Sequence, residues 1–272
     1  MAETRVGVLG CAGRMGQLLV REVAAADGLA LSGGTETPGH EALGQDVAAL
    51  AGLEPCGAVV GDDPADLFAK TDAVIDFTAP GAAISHANLA AQAHTILVVG
   101  TSGLEAEHEA ALEKAGRHTP VVIGASMSIG VNLLLGLVRQ AAAALGPDFD
   151  IEIVEMHHKH KVDAPSGTAL ALGRAAAAGR GVDLGQVKDS GRDGLTGPRR
   201  VGDIGFAALR GGDVTGEHSV IFAGTGERVE LGHRTSSRQV YARGAVRAVQ
   251  WAVDNREPGF YTMADVLGFS ER

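Results

Sequence analysis

The sequence predicts an α/β protein: a doubly wound parallel sheet joined to a second α+β domain on an antiparallel or mixed sheet. Three observations carry this prediction. From Arg5 to Gly124, short apolar runs alternate with longer amphipathic or alanine-rich stretches, as strands do with crossover helices. A glycine-rich turn, Gly10-Cys11-Ala12-Gly13-Arg14-Met15-Gly16, stands between the first run and the first helical stretch. Beyond Gly202, by contrast, apolar runs are separated by glycine turns.

Val6 to Leu9, Leu29 to Ser32, Ala73 to Phe77, Ile96 to Val99 and Val121 to Ile123 have the length of buried strands. Gln17 to Ala26, Ala82 to Ala93 and Glu105 to Arg117, lying between them, have the composition of crossover helices. Near Ser126 the character changes: Val131 to Leu145 predicts a helix and Ile151 to Met156 a strand, followed at once by a dense polar segment. Ala175 to Ala178 belongs to a further helix. Ile204 to Leu209, Ser219 to Phe222 and Val229 to Leu231 are strand runs, punctuated by Gly211-Gly212-Asp213 and Gly224-Thr225-Gly226. Gln239 to Asn255, apolar at Val240, Ala245, Val246, Val249 and Ala252, is a helix able to pack back on the first half. The first domain is therefore expected to be discontinuous, residues 1–128 with 239–272, around an inserted 129–238.

A chain of 272 residues that is 45% hydrophobic has enough apolar surface for one large core or two modest ones. Its formal charge of -10 disfavours nucleic acid and anionic membranes as partners, since both are repelled at long range. An anionic substrate then requires a locally basic pocket. Cys11 and Cys56 form neither a disulfide framework nor a metal-ligand spacing, so a reducing cytoplasm is the expected compartment. The first ten residues lack the apolar centre of a signal peptide, and no window holds about 18 uninterrupted apolar residues.

The glycine turn suits a dinucleotide. Without β-carbons, Gly10, Gly13 and Gly16 let the backbone approach a pyrophosphate, and the N–H groups and dipole of the following helix stabilise its charge. Glu36 lies about 20 residues beyond Gly16, after the second run, where such folds hold the ribose hydroxyls with a carboxylate. The neighbouring Thr37 is not an arginine, so nothing adjacent pairs with a 2′-phosphate, although Arg14 is within reach of one. NADH preference, or dual use of NADH and NADPH, follows. Phe77-Thr78 and Gly100-Thr101-Ser102-Gly103 follow predicted parallel strands, on the edge where doubly wound sheets bind ligands. A helix cap at Thr101 or Ser102 explains the second loop equally well.

The densest chemical signal runs from Glu155 to Ala169 and concentrates His157, His158, Lys159, His160 and Lys161 in an acidic protein. Such a cluster holds a dianion because screening removes distant charges beyond about 8 Å. Ser166 is a natural N-cap for the helix that follows, leaving N–H donors for a substrate carboxylate. Metal binding by the three histidines is disfavoured, since consecutive strand residues face opposite ways. A solvated basic loop behind a helix cap is the plain alternative.

The glycine turn, Asp76-Phe77-Thr78, Gly100-Thr101, Gly130-Val131-Asn132 and, above all, Glu155 to Thr168 together resemble the dihydrodipicolinate reductase family over nearly the whole chain. The resemblance implies a Rossmann-like cofactor domain, a substrate-binding and oligomerisation domain on an open mixed sheet, and a homotetramer. It implies reduction of 4-hydroxy-tetrahydrodipicolinate, a small cyclic imine dicarboxylate, to tetrahydrodipicolinate in lysine and diaminopimelate biosynthesis. By position, His157 looks like the proton donor or acceptor, Lys161 the second catalytic group, and His158 a substrate contact. Ser166, Gly167 and Thr168 look like the carboxylate cradle, and Arg238, in Ser236-Ser237-Arg238, like a residue closing the cleft. The segments Gly10, Cys11, Ala12, Gly13, Arg14, Met15; Glu36; Gly100, Thr101, Ser102; and Gly124, Ala125, Ser126, Met127 match those that contact the cofactor. Thr37 and Ala79 stand where some members carry arginines, and Ser126 replaces a frequent asparagine, departures that bear on cofactor choice.

Histidine, with an ordinary pKa near 6.5, donates a proton near neutrality, a role worth about 10²- to 10⁴-fold in rate. Two rivals share the cofactor half: another two-domain reductase or amino-acid dehydrogenase, and a nucleotide sensor without turnover. The segment from His157 to Thr168 argues against the first; the second would bind NADH yet show no turnover.

Overall fold

The computed structural model describes residues 3–255 and 257–269, so the outer limits expected for the first domain, residues 1 and 272, lie outside the described residues. The chain divides into two compact units, Met1–Ile129 with Gln239–Arg272, and Gly130–Arg238.

In chain order the first unit carries β1 (Thr4–Leu9), α1 (Arg14–Ala24), β2 (Leu29–Thr35), α2 (Val47–Leu50), β3 (Val60–Gly61) and α3 (Pro64–Lys70). It continues with β4 (Ala73–Asp76), α4 (Pro80–Ala93), β5 (Ile96–Val99), α5 (Ala106–Ala115) and β6 (Pro120–Ile123). Beyond the junction come α6 (Ile129–Leu145), β7 (Asp150–His157), α7 (Gly167–Gly179), α8 (Leu184–Val187), β8 (Lys188–Ser190), β9 (Ile204–Arg210), β10 (Gly216–Ala223) and β11 (Arg228–Thr235). The chain then returns to the first unit with α9 (Gln239–Asp254), β12 (Gly259–Thr262) and α10 (Met263–Val266).

The first unit is a seven-stranded parallel sheet of order β12-β6-β5-β4-β1-β2-β3, a Rossmann-like doubly wound arrangement. Successive strand residues face opposite ways, so each fully buried strand feeds two cores. Val6, Val8, Ile75 and Val98 pack on one side with Leu19, Val20 and Val23 of α1 and Ala245, Ala248 and Val249 of α9. Val74, Leu97 and Val99 pack on the other with Phe68 of α3, Ala87 and Ala90 of α4, and Leu112 of α5. Small residues set how near α9 approaches: a β-carbon on Gly244 would lie 1.6 Å from the carbonyl oxygen of Met127. The order of the strands reverses between β1 and β4, and that reversal opens a crevice at their carboxyl ends, beside Gly10 and Phe77.

The second unit is a mixed five-stranded sheet of order β11-β10-β7-β9-β8. β7 runs parallel to β9 and antiparallel to β10, which turns through Gly224 to Glu227 into β11. One face is covered: Ile151, Ile153, Ile204, Phe206, Val220 and Phe222 pack with Leu134 and Val138 of α6 and Leu172, Ala176 and Ala177 of α7.

Differences from expectation have local causes. α1 begins at Arg14 rather than Gln17. The glycine turn thus runs straight into the helix, with Gly16 in its first turn. β3 and β12 are short additions to the sheet edges, and β12 holds only Gly259–Thr262. The helices α2, α3, α8 and α10, of four to seven residues, are too brief to show a periodic apolar face.

Candidate active site

In the first unit the glycine turn is shaped by contacts that exclude side chains. Gly10 has φ +66°, and a β-carbon on Gly16 would lie 2.0 Å from the Gly10 carbonyl oxygen and 2.7 Å from the Cys11 backbone. The turn is held to β2 by N–H groups of Gly10 and Cys11, which donate to the Thr35 carbonyl at 2.9 and 3.2 Å. Gly13 is the N-cap of α1 and has no capping side chain, so the first turn presents backbone donors at the positive end of the helix. This close-packed backbone, bare of side chains at Gly10, Gly13 and Gly16, fits a pyrophosphate. Glu36 Oε1 accepts from the Ala12 N–H at 2.9 Å, so the acid nominated for the ribose is held against the turn. Cys11 is buried, and burial first, then the charge of Glu36, pushes its thiol up to about 12. Arg14 is exposed, whereas Met15 is partly buried on the core.

Across the crevice, β4 ends in Asp76, which is buried. Its Oδ1 accepts from the Thr78 N–H at 2.8 Å and the Thr78 hydroxyl at 2.6 Å, while Oδ2 lies 2.7 Å from His86 Nδ1. Burial alone would raise this carboxyl, but the hydrogen bond and charge of His86, with the Thr78 bonds, hold it below the usual carboxylate range. The Asp76 carbonyl accepts from Gly100 N at 2.9 Å, joining the two nominated loops. The Phe77 ring lies on Gly100, where a β-carbon would meet it at 2.2 Å. Thr101 is buried beneath this loop and Ser102 is exposed. At the end of β6, Gly124 N donates to the Val99 carbonyl at 3.2 Å; Met127 is buried, Ser126 half-buried and Ala125 exposed.

The second unit gathers its polar residues around Glu155, 1% exposed on the helix-covered face of β7. Parallel pairing places Arg210 of β9 opposite His157, and its guanidinium reaches back to Glu155: Nη1 donates to Oε2 at 2.8 Å and Nη2 to Oε1 at 2.9 Å. His157 Nδ1 lies 2.6 Å from Oε2, and the backbone N–H of Ser166 donates to Oε1 at 3.1 Å. Burial alone would raise the Glu155 carboxyl; the bonds and charges of Arg210 and His157 outweigh it and hold it low. Ser166 is the N-cap of α7 as the sequence predicts, its hydroxyl accepting from Ala169 N at 3.1 Å. Gly167 is exposed and Thr168 half-buried at the start of that helix.

The same hydroxyl lies 3.0 Å from Nε2 of His218 on β10, whose ring meets that of His157 edge-on at 5.1 Å. Burial, then the charge of His157, pushes His218 down to about 4. Lys161 Nζ donates to Asp163 Oδ1 at 2.7 Å, and Arg210 Nη2 holds the same loop through the Asp163 carbonyl, also at 2.7 Å. The His158 and His160 rings lie 6.3 Å apart, outside the Glu155 network. Arg238, exposed at the end of the unit, takes no part in it. Among the described residues, no group of three His, Cys, Asp or Glu side chains is arranged to hold a metal.

Two family models match the chain in succession, "Dihydrodipicolinate reductase, N-terminus" over residues 4–127 and "Dihydrodipicolinate reductase, C-terminus" over residues 130–267. The chain belongs to the dihydrodipicolinate reductase family. Curated relatives agree. It is 55% identical over 261 residues to the 4-hydroxy-tetrahydrodipicolinate reductase of Ruegeria pomeroyi, covering 96% of this chain and 97% of that one. It is 52% identical over 271 residues to the same-named protein of Rhodopseudomonas palustris, covering 100% of each. A dipicolinate-bound dihydrodipicolinate reductase from a Paenisporosarcina species shares the fold, with a TM-score of 0.76 at 22% identity over 97% of this chain and 98% of that one. An amine dehydrogenase from Mycobacterium smegmatis is similar at TM-score 0.62 and 14% identity, covering 96% and 95%.

Within this dihydrodipicolinate reductase fold, sequence reasoning left Asp76, His86, Glu155, Arg210 and His218 without roles. Asp76 and Glu155 stood inside the quoted motifs, where an acid closing an apolar strand run was the available signal. His86 lies ten residues beyond its partner, and Arg210 and His218 join their partners only through strand pairing.

Two outcomes follow. Gly16→Ala places a methyl 2.0 Å from a backbone oxygen, so NADH titration by fluorescence should show at least tenfold weaker binding; unchanged affinity would refute the close-packed turn. His218, neutral in the fold but ordinary when unfolded, costs stability as pH falls from about 6.5 to about 4, about 3 kcal/mol at the acid end. Denaturant melts of His218→Gln across that window should show a correspondingly smaller acid loss than wild type; parallel curves would exclude this contribution.

Proposed function

We propose that the protein catalyses the NAD(P)H-dependent reduction of 4-hydroxy-tetrahydrodipicolinate to tetrahydrodipicolinate with release of water, a step of lysine and diaminopimelate biosynthesis. The first unit serves as the dinucleotide-binding domain, and the second binds substrate and mediates oligomerisation. One observation carries this reading of the site: a single buried carboxylate, Glu155, fixes both the imidazole of His157 and the N-terminus of α7 at Ser166. A proton donor and an anion cradle are thereby held in constant relation, which is what a small dicarboxylate that must be protonated as it is reduced requires.

A reduced nicotinamide dinucleotide, its pyrophosphate held at the glycine turn, would supply the hydride; each turnover also takes up one proton and releases one water. Ser166, Gly167 and Thr168 hold a substrate carboxylate at the start of α7, with His158 as a further contact and Arg238 at the segment leading into α9. His157 gives the proton. Lys161, steadied by Asp163, offsets anionic charge on the substrate. Gly10, Cys11, Ala12, Gly13, Arg14 and Met15 hold the pyrophosphate; Phe77, Thr78, Gly100, Thr101, Ser102 and residues 124–127 line the nicotinamide side. Glu36, with Thr37 beside it in place of an arginine, favours ribose hydroxyls over a 2′-phosphate, so NADH is preferred or both cofactors are used.

The open face of the second sheet supports a homotetramer. Val154 and Met156 of β7, Ala207 and Leu209 of β9, and Ile221 of β10 lie on the face away from α6 and α7, and Leu209 is 49% exposed. An apolar strand surface of this kind is stabilised by a second copy of itself. No helix among the described residues is long and apolar enough to cross a membrane, and the two free cysteines accord with a cytoplasmic setting.

NADH and NADPH oxidation should each be followed with and without freshly made dihydrodipicolinate synthase product. Turnover should require the product, and catalytic efficiency with NADH should equal or exceed that with NADPH. His157→Ala and Lys161→Ala should each lower kcat by about 10²-fold or more while NADH binding survives; near wild-type turnover would reject those roles, and much higher efficiency with NADPH would reject the cofactor preference. Light scattering should give four times the chain mass for the wild type and a smaller species for Leu209→Asp with Val154→Asp; a wild-type monomer would rule out the sheet interface.

A further inference from the structure

Glu155 is an acceptor at every position its surroundings probe. Two guanidinium N–H groups, one backbone N–H and His157 Nδ1 converge on its two oxygens, all within 3.1 Å. An ionised carboxylate only accepts hydrogen bonds, so the Nδ1 beside it must carry a proton. Neutral His157 is then the Nδ1–H tautomer, and Nε2 is the atom at which the ring gains and loses its exchangeable proton. Space is left there: a β-carbon on Gly216, the first residue of β10, would come within 3.2 Å of Nε2.

Arg210 has a separate effect. A carboxylate whose charge is buried without a counter-ion is driven toward its neutral form, which could donate to Nδ1 and leave the ring proton on Nε2 instead. The two-pronged guanidinium neutralises that charge while leaving one oxygen edge for Nδ1. The titratable and charged groups facing His157 are Glu155 on its own strand, Arg210 from β9 and His218 from β10, with Lys161 and Asp163 on the following loop and His233 of β11 beyond His218. Of these, Arg210 alone donates to both oxygens of Glu155, which makes that pair the direct control on the Nδ1 proton.

We propose that Glu155 and Arg210 are positioning residues for proton transfer: Glu155 fixes the proton on Nδ1 of His157 so that Nε2 faces the substrate, and Arg210, paired with both carboxylate oxygens, keeps Glu155 an acceptor. This deepens, and rests on, the assignment of His157 as proton donor.

The test is long-range ¹H–¹⁵N correlation of histidine-labelled full-length protein, with the His157 signals assigned by their loss in His157→Gln. Wild-type neutral His157 should show a protonated Nδ1 and a bare Nε2. In Glu155→Gln, Arg210 can only donate and claims the one amide oxygen. The amide NH₂ then faces Nδ1 and should invert the tautomer, with kcat falling about 10²-fold and KM for NADH unchanged. Arg210→Met should shift neutral His157 toward the Nε2–H tautomer, because the unpaired carboxyl takes up a proton and donates to Nδ1, with kcat falling about tenfold or more and KM for NADH unchanged. A bare Nδ1 in the wild-type protein overturns the proposal whether or not either variant folds, as does an unchanged tautomer in folded Glu155→Gln or in folded Arg210→Met. These spectra are read without turnover, so they separate failure of this device from failure of the proton-donor role, which His157→Ala reports.

Discussion

The burial of the Glu155 carboxylate is the constraint on which the second unit's site depends. Taking an anion out of water costs several kcal/mol unless its oxygens are paired and its charge is balanced. Here that requirement is met by four donors drawn from three places: Arg210 on β9, His157 two residues along the same strand, and the first N–H before α7. Loss of one partner would leave the rest around an undercompensated charge. The ring, the helix N-terminus and the loop tied through the Asp163 carbonyl are accordingly one cooperative arrangement, with the apolar packing of Ile151, Ile153 and Leu172 beneath it.

The first unit solves a related problem in a related way. Asp76 ends a strand, is buried, and combines a histidine, a hydroxyl and a backbone N–H to fix the Phe77-Thr78 loop. Each unit therefore uses a buried acid at or near a strand end to turn the regular geometry of a sheet into a fixed loop. The sites differ in what lies outward of the acid. Asp76 carries a loop at the crevice of a parallel sheet, beside a glycine turn that offers backbone donors. Glu155 carries an imidazole, a helix N-terminus and a nearby ammonium, which together suit a small anion undergoing proton transfer.

Much of this was legible in the sequence because it is local. Apolar runs of three to five residues located β1, β4, β5 and β6, since strands buried on both faces carry no polar alternation. Gly10 to Gly16 announced a close-packed turn, and Ser166 announced a helix start. The start of α1 was misjudged because Arg14 and Met15 are helical residues that also belong to the turn, a dual membership periodicity does not reveal. Arg210 and His218 stayed hidden for another reason: they lie 55 and 52 residues from Glu155 and Ser166, and only the pairing of β9 and β10 with β7 brings them there. Short edge strands such as β3 and β12 gain their identity from a neighbour and not from their own composition.

The arrangement around Glu155 turns on where one proton lies. Neutron diffraction from crystals of the deuterated wild-type protein near neutral pH would locate it. The expected map has deuterium on His157 Nδ1, directed at an ionised Glu155, with Arg210 fully deuterated on the opposite edge. Deuterium on a Glu155 oxygen, or a His157 ring carrying deuterium on Nε2 alone, would contradict it.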